Sequence, residues 1–229
     1  MNARDIPSDR ELAATLAGAR WRRVVVLGDS LAAGVRETVD GWPDRSWTDW
    51  IATALPGAQH WNLGKRDLLA SEVREQQLAQ ALRLRPDLAI VCAGGNDMLR
   101  QDFDPIALTQ ELDAIVAPLR NAGADVLLIE LLDIVAAGLI PAEYADLLDR
   151  KLSTLAEVTR DIAARHSTIL VEMRGAPVDA EMFSSDLMHL NTRGHAIAGT
   201  ESVRMLQAAH LQTSGTPPRD RRRATGSCT

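Results

Sequence analysis

Lysine is nearly absent from this chain. Lys65 and Lys151 are the only two, and 31 acidic residues against 25 basic ones leave a formal net charge of −6. That balance argues against a nucleic-acid binder, which carries a basic face. The one basic cluster, Arg219 with Arg221-Arg222-Arg223, is shorter than the usual patch and sits in a Ser/Gly/Pro/Thr-rich tail. Cysteine is scarce too. Cys92 lies in an apolar run and Cys228 beside the C-terminus, which excludes a disulfide framework. No apolar stretch approaches the roughly 18 residues that span a bilayer, so no stable membrane insertion is expected. Charges are scattered through Met1–Arg20 with no apolar core of a signal peptide, so a cytoplasmic location is expected. Zinc-like ligand spacing, a Gly-x-Gly-x-x-Gly turn and a P-loop are all missing. No metal and no cofactor is therefore expected.

What is present is a hydrophobic content of 46%, enough for a real core in one domain of 229 residues. The chain is organised around Val24-Val25-Val26-Leu27-Gly28-Asp29-Ser30-Leu31. A β-branched apolar run reads as a buried strand, and Gly-Asp-Ser turns it into a helix. Further strands are predicted at 59–63, 88–93, 126–129 and 168–171. The helices between them fall at 47–55, 68–84, 105–121 and from Pro141 onward, the last with a stripe of Tyr144, Leu148, Leu152, Leu155 and Ile162. A short helix at 9–18 precedes the first strand, and a final one runs from about 191 to 210. This alternation predicts an α/β fold with a five-stranded parallel sheet in a single domain. Residues 1–20 read as a helical extension, 21–212 as the domain and 213–229 as a disordered basic tail.

Four segments fall at strand ends or after the last strand, where open α/β sheets collect ligands. They are Gly28-Asp29-Ser30-Leu31, Asn62-Leu63-Gly64, Gly94-Gly95-Asn96-Asp97 and Asp186-Leu187-Met188-His189. Each brings a group that acyl transfer needs. Ser30 is the candidate nucleophile and His189 its base. Asp186, three residues before, can orient the ring. The Ser30 and Gly64 backbone N–H groups and the Asn96 side chain can hold an oxyanion. Taken singly, Gly28-Asp29-Ser30 also suits a plain capped turn, and Gly94–Asp97 a loop of unusual backbone angles. Asp29 and Asp97 read as loop-bracing carboxylates. His195 reads as a structural or exposed residue.

Together the four blocks resemble the SGNH hydrolase family, also called GDSL esterases and lipases, in that family's order. Its four letters fall on Ser30, Gly64, Asn96 and His189. The resemblance implies a flavodoxin-like three-layer α/β/α sandwich and metal-free hydrolysis of esters or thioesters through an acyl-enzyme. Ala32 rules out a Gly-x-Ser-x-Gly elbow at Ser30, which separates the chain from α/β-hydrolases. Lys65-Arg66 after Gly64 departs from the small residues commoner in relatives, which touches the substrate rim.

A small-molecule ester is the expected partner, with Met98, Phe103, Ile134, Val135 and Leu139 as acyl-pocket candidates. The apolar 132–140 stretch suits a pocket wall or a buried turn equally. Trp42, Trp47 and Trp50 suit an entrance wall or the core. The alternatives to a hydrolase are a non-catalytic flavodoxin-like binding module and an acyltransferase using the same site. Nothing in the sequence speaks to oligomeric state.

Overall fold

Five parallel strands in the order β2-β1-β3-β4-β5 form the centre of the molecule. They are β1 (Arg23–Gly28), β2 (Gln59–Asn62), β3 (Leu88–Cys92), β4 (Asp125–Ile129) and β5 (Ile169–Val171). The computed structural model describes residues 6–214. The basic Arg219–Arg223 run lies outside them.

Alternation along the strands builds two cores. Val24, Val26, Leu88, Ile90 and Leu127 face one side, packing with α1 (Asp9–Thr15), α3 (Trp47–Ala54) and α9 (Thr192–Ser214). Val25, Leu27, Ala89, Val91, Val126 and Leu128 face the other, beneath α4 (Ala70–Val73), α5 (Ala79–Arg83), α7 (Pro105–Asn121) and α8 (Ala142–His166). A strand buried on both faces has no polar side to show, which is why β1 and β3 read as unbroken apolar runs. The result is the three-layer, flavodoxin-like α/β/α sandwich with five parallel strands. Its strand order places the topological switch between β1 and β3, the crevice such sheets use.

Local chemistry accounts for the element ends. Ser46 caps α3 in a reciprocal box with Asp49, and Asp104 caps α7 ahead of Pro105. Several expectations are corrected. The helix expected over 68–84 is interrupted by a π-helical segment, Arg74–Leu78. The loop expected after Gly94 contains a short helix, α6 (Gly95–Leu99). Tyr144 is 59% exposed and does not belong to the buried stripe of α8, whose first residues, 142–147, are mostly exposed. The first helix ends at Thr15, and the last continues to Ser214.

Candidate active site

Ser30 opens α2 (Ser30–Ala33), a four-residue helix directly after β1. Two features of the preceding residues force it there. Gly28 has φ +144, and a Cβ on it would sit 1.9 Å from the Cys92 carbonyl oxygen. Only glycine lets β1 end so close to β3. Asp29 then caps α2 by accepting from the Leu31 N–H at 3.0 Å. Gln77, carried by the π segment, braces the same point. Its amide accepts from the Gly28 N–H at 2.8 Å and donates to the Gly28 carbonyl at 2.9 Å.

His189 Nε2 lies 2.8 Å from Ser30 Oγ, and His189 Nδ1 lies 2.7 Å from Asp186 Oδ2. Ser30 and His189 are each 8% exposed. The other Asp186 oxygen accepts from the Met188 and His189 N–H groups at 3.0 and 2.9 Å. This folds the segment back on itself, and Leu187 takes up φ +58 to permit it. A non-glycine residue in that region stores strain, a pattern common at functional sites. Burial raises the Asp186 carboxyl, but hydrogen bonds from the His189 N–H and ring and from the Met188 N–H outweigh it. The group therefore stays below its ordinary range. An ionised Asp186 accepts from Nδ1–H and leaves Nε2 free to take the Ser30 proton.

The expected oxyanion donors are placed differently from one another. Asn96, in the first turn of α6, lines the same cavity as Ser30. One of its N–H bonds is fixed by the Leu68 carbonyl at 2.9 Å, leaving the second for a ligand. Gly64 lies against α2, where a Cβ would come within 2.4 Å of the Ala33 nitrogen. Its N–H donates to Asn62 Oδ1 at 2.8 Å, and the Asn62 amide also holds the Ala32 carbonyl at 2.7 Å. The Asn62 amide thus ties the Gly64 loop to the helix that carries Ser30.

An apolar cavity of about 160 Å³ opens beside Ser30 and His189. Of the five pocket candidates, Met98 and Ile134 line it. Phe103, Val135 and Leu139 do not. Phe103 and Val135 pack on the core under α7 and α8, and Leu139 packs on the opposite core. Ile140, Leu148, Leu152 and Met173 take their places in the wall. The α8 residues sat in plain view as a helical stripe, but periodicity does not separate a core face from a pocket face. Trp47 lines the cavity as well, with its Nε1–H on the Leu31 carbonyl at 2.8 Å, while Trp50 is fully buried.

Asp29, Asp97 and His195 brace the backbone around the site. Burial pushes the Asp29 carboxyl up to about 7, opposed by the Leu31 N–H and reinforced by the charge on Asp97. Asp97 is raised too, by burial, although its carboxylate accepts from the Ala70 N–H at 2.9 Å. Burial pulls His195 down to about 4. Its Nδ1 accepts from the Trp47 N–H at 3.0 Å, so Nε2–H donates to the Val35 carbonyl at 3.1 Å, and the ring is a neutral strut. Among the described residues no group of three or more His, Cys, Asp or Glu is arranged to hold a metal.

Residues 26–197 match the GDSL-like Lipase/Acylhydrolase family, three quarters of the chain. The chain belongs to that family. It is accordingly an SGNH-type carboxylic ester hydrolase, an esterase or acylhydrolase by family. Solved structures share the fold at low identity. TesA is 22% identical with a TM-score of 0.65, covering 82% of this chain and 99% of its own. LAE5, an alpha/beta hydrolase enzyme from the metagenome of Lake Arreo, Spain, is 18% identical with a TM-score of 0.66, covering 81% and 94%. Axe2, an acetylxylan esterase from Geobacillus stearothermophilus, is 15% identical with a TM-score of 0.67 over the same shares. Catalytic mutants of Axe2 replace a serine, an aspartate and a histidine, the last two three positions apart. No curated protein matches the sequence. No helix among the described residues is long and apolar enough to cross a membrane.

Proposed function

We propose that this GDSL-family chain hydrolyses small-to-medium aliphatic acyl esters or thioesters through an acyl-enzyme on Ser30. The observation that carries the reading is the Ser30–His189–Asp186 chain, at 2.8 and 2.7 Å, standing at the mouth of an apolar cavity. The Asp-x-x-His spacing matches that of the Axe2 aspartate and histidine.

Ser30 Oγ attacks the acyl carbonyl as its proton passes to His189 Nε2. The Ser30 and Gly64 N–H groups and the free Asn96 N–H stabilise the oxyanion, the Gly64 N–H being shared between Asn62 and the ligand. Collapse breaks the ester bond, and the imidazolium gives its proton to the leaving oxygen or sulfur. Water then attacks the acyl-Ser30 and loses a proton to His189, which passes it to Ser30 Oγ as the carboxylic acid is released. Asp186 keeps the ring in the required tautomer throughout.

The cavity argues for an aliphatic acyl group over acetyl. An aliphatic-lined cavity of about 150 Å³ takes up a benzene-sized guest. An acetyl methyl leaves most of such a space unfilled, and each buried methylene adds about 0.8 kcal/mol. A p-nitrophenyl ester series from acetate to palmitate, run on wild type and Ser30→Ala, tests the proposal. Turnover should peak at intermediate chain length and vanish in Ser30→Ala. Equal turnover in the variant, or a folded wild type that neither hydrolyses esters nor takes a fluorophosphonate on Ser30, would sink it.

A further inference from the structure

The far wall of the cavity is built on a charged joint that the acyl-transfer steps do not use. Arg174 follows β5. Its guanidinium ion-pairs with Asp133, on the segment after β4, and with Asp149 on α8, and Nη2 lies 3.2 Å from Ser153 Oγ. Its backbone N–H donates to the buried Glu130 at 2.9 Å, and Arg160 Nε pairs with the same carboxylate at 2.7 Å. Three pieces of chain meet here, and each supplies cavity wall. Ile134 and Ile140 come from the 130–141 segment, Leu148 and Leu152 from α8, and Met173 from beside Arg174 itself.

Asp133 is the hub of that segment. Its Oδ1 accepts from the Val135 and Ala136 N–H groups at 3.1 and 2.9 Å, capping the turn behind Ile134. Backbone bonds from Ile134, Ala137 and Gly138 run to Leu132, Asp133 and Val135, all within the segment. Those bonds shape the turn but do not fasten it to α8. Without Arg174 the turn would meet α8 through apolar packing, which is non-directional, and the segment would be tied to that helix by the Glu130–Arg160 pair at its other end. The Arg174 guanidinium lies between two carboxylates, hydrogen-bonded to Asp149 and charge-paired with Asp133, and so ties both pieces of chain to itself.

We infer that Arg174 is a specificity-determining positioning residue. By clamping Asp133 to Asp149 it sets the gap between the 130–141 segment and α8, and so the acyl chain length that the cavity prefers. This rests on the acyl-hydrolase reading above.

The test compares Arg174→Met, Arg174→Lys and Asp133→Asn with wild type on p-nitrophenyl acetate and octanoate. Asn at 133 keeps the turn-capping oxygen and loses the ion pair, so it guards against simple misfolding. Circular dichroism and thermal melts confirm that each variant is folded. Arg174→Met and Asp133→Asn should lower the octanoate-to-acetate ratio of kcat/KM by about tenfold, mainly through KM, with Arg174→Lys recovering part of it. Octanoate binding to the corresponding Ser30→Ala double variants, followed by tryptophan fluorescence, should weaken in step. A ratio within about twofold of wild type in folded variants, or an equal loss on both esters, overturns the inference. Ser30-dependent turnover with an unmoved ratio removes this inference alone. A wild type without Ser30-dependent turnover removes the acyl-hydrolase reading and this inference together.

Discussion

Asp29 lies one residue before Ser30 and is almost completely buried, with its carboxyl raised to about 7. The folded state therefore holds a proton on it that the unfolded chain releases near pH 4. Between those values the folded state binds more protons, so stability falls as pH rises, and the loss is complete above about 7. Asp29→Asn keeps the oxygen that accepts from Leu31 and removes the charge. The variant should gain on wild type by up to about 4 kcal/mol between pH 4 and pH 7, read by urea unfolding at each pH. A constant difference across that range would show that burial does not dominate this carboxyl. Asn96 makes a second residue-scale prediction. Asn96→Ala should lower kcat by about 10²–10³ with little change in KM, since the bond it offers forms in the transition state. At this scale much of the site could be read in advance. Histidine is scarce, with five in the chain, and the candidate serine, aspartate and histidine sit in short blocks at a strand end or after the last strand. Asn62 was legible only as part of a block, because a bridging amide leaves no mark of its own in a linear pattern.

Elements fared differently by type. β1, β3 and α3 were legible because a doubly buried strand and a capped amphipathic turn have strong periodic signatures. The π segment at Arg74–Leu78 was not, because an i→i+5 turn has no composition of its own in a linear sequence. Its use is visible in three dimensions, since it carries the buried Gln77 amide to both polar groups of Gly28. Gln77→Leu would leave a buried N–H without its acceptor and weaken a carbonyl contact. The expected cost is about 2–4 kcal/mol in unfolding free energy, one to two lost partners at about 1–3 kcal/mol each. Ester turnover should fall as well, because Gly28 is two residues from Ser30. Denaturant unfolding and p-nitrophenyl butyrate kinetics on the one variant check both parts. Unchanged turnover in a destabilised Gln77→Leu would mean that the Gly28 brace supports the fold and not the nucleophile.

At the scale of the molecule, the cavity is the open end of both cores. Met98, Leu148 and Leu152 belong to the layer under α7 and α8, while Trp47, Met173 and Phe183 belong to the layer under α3 and α9. No linear pattern announces such a seam. Phe103, Val135 and Leu139 lie close in sequence to strand ends, yet they pack against the cores and not on the cavity. The seam also predicts where stability and specificity part company. Leu12 on α1 and Leu152 on α8 are both buried, and truncating either should cost about 2–5 kcal/mol. Only Leu152 borders the cavity. Leu152→Ala should therefore shift the preferred ester toward longer acyl chains, whereas Leu12→Ala should lower the melting temperature and leave the chain-length profile as it was. The same p-nitrophenyl series, run well below both melting temperatures, separates the two. A shifted profile in Leu12→Ala would show that the cavity is set by the packing of the whole sandwich and not by its own wall.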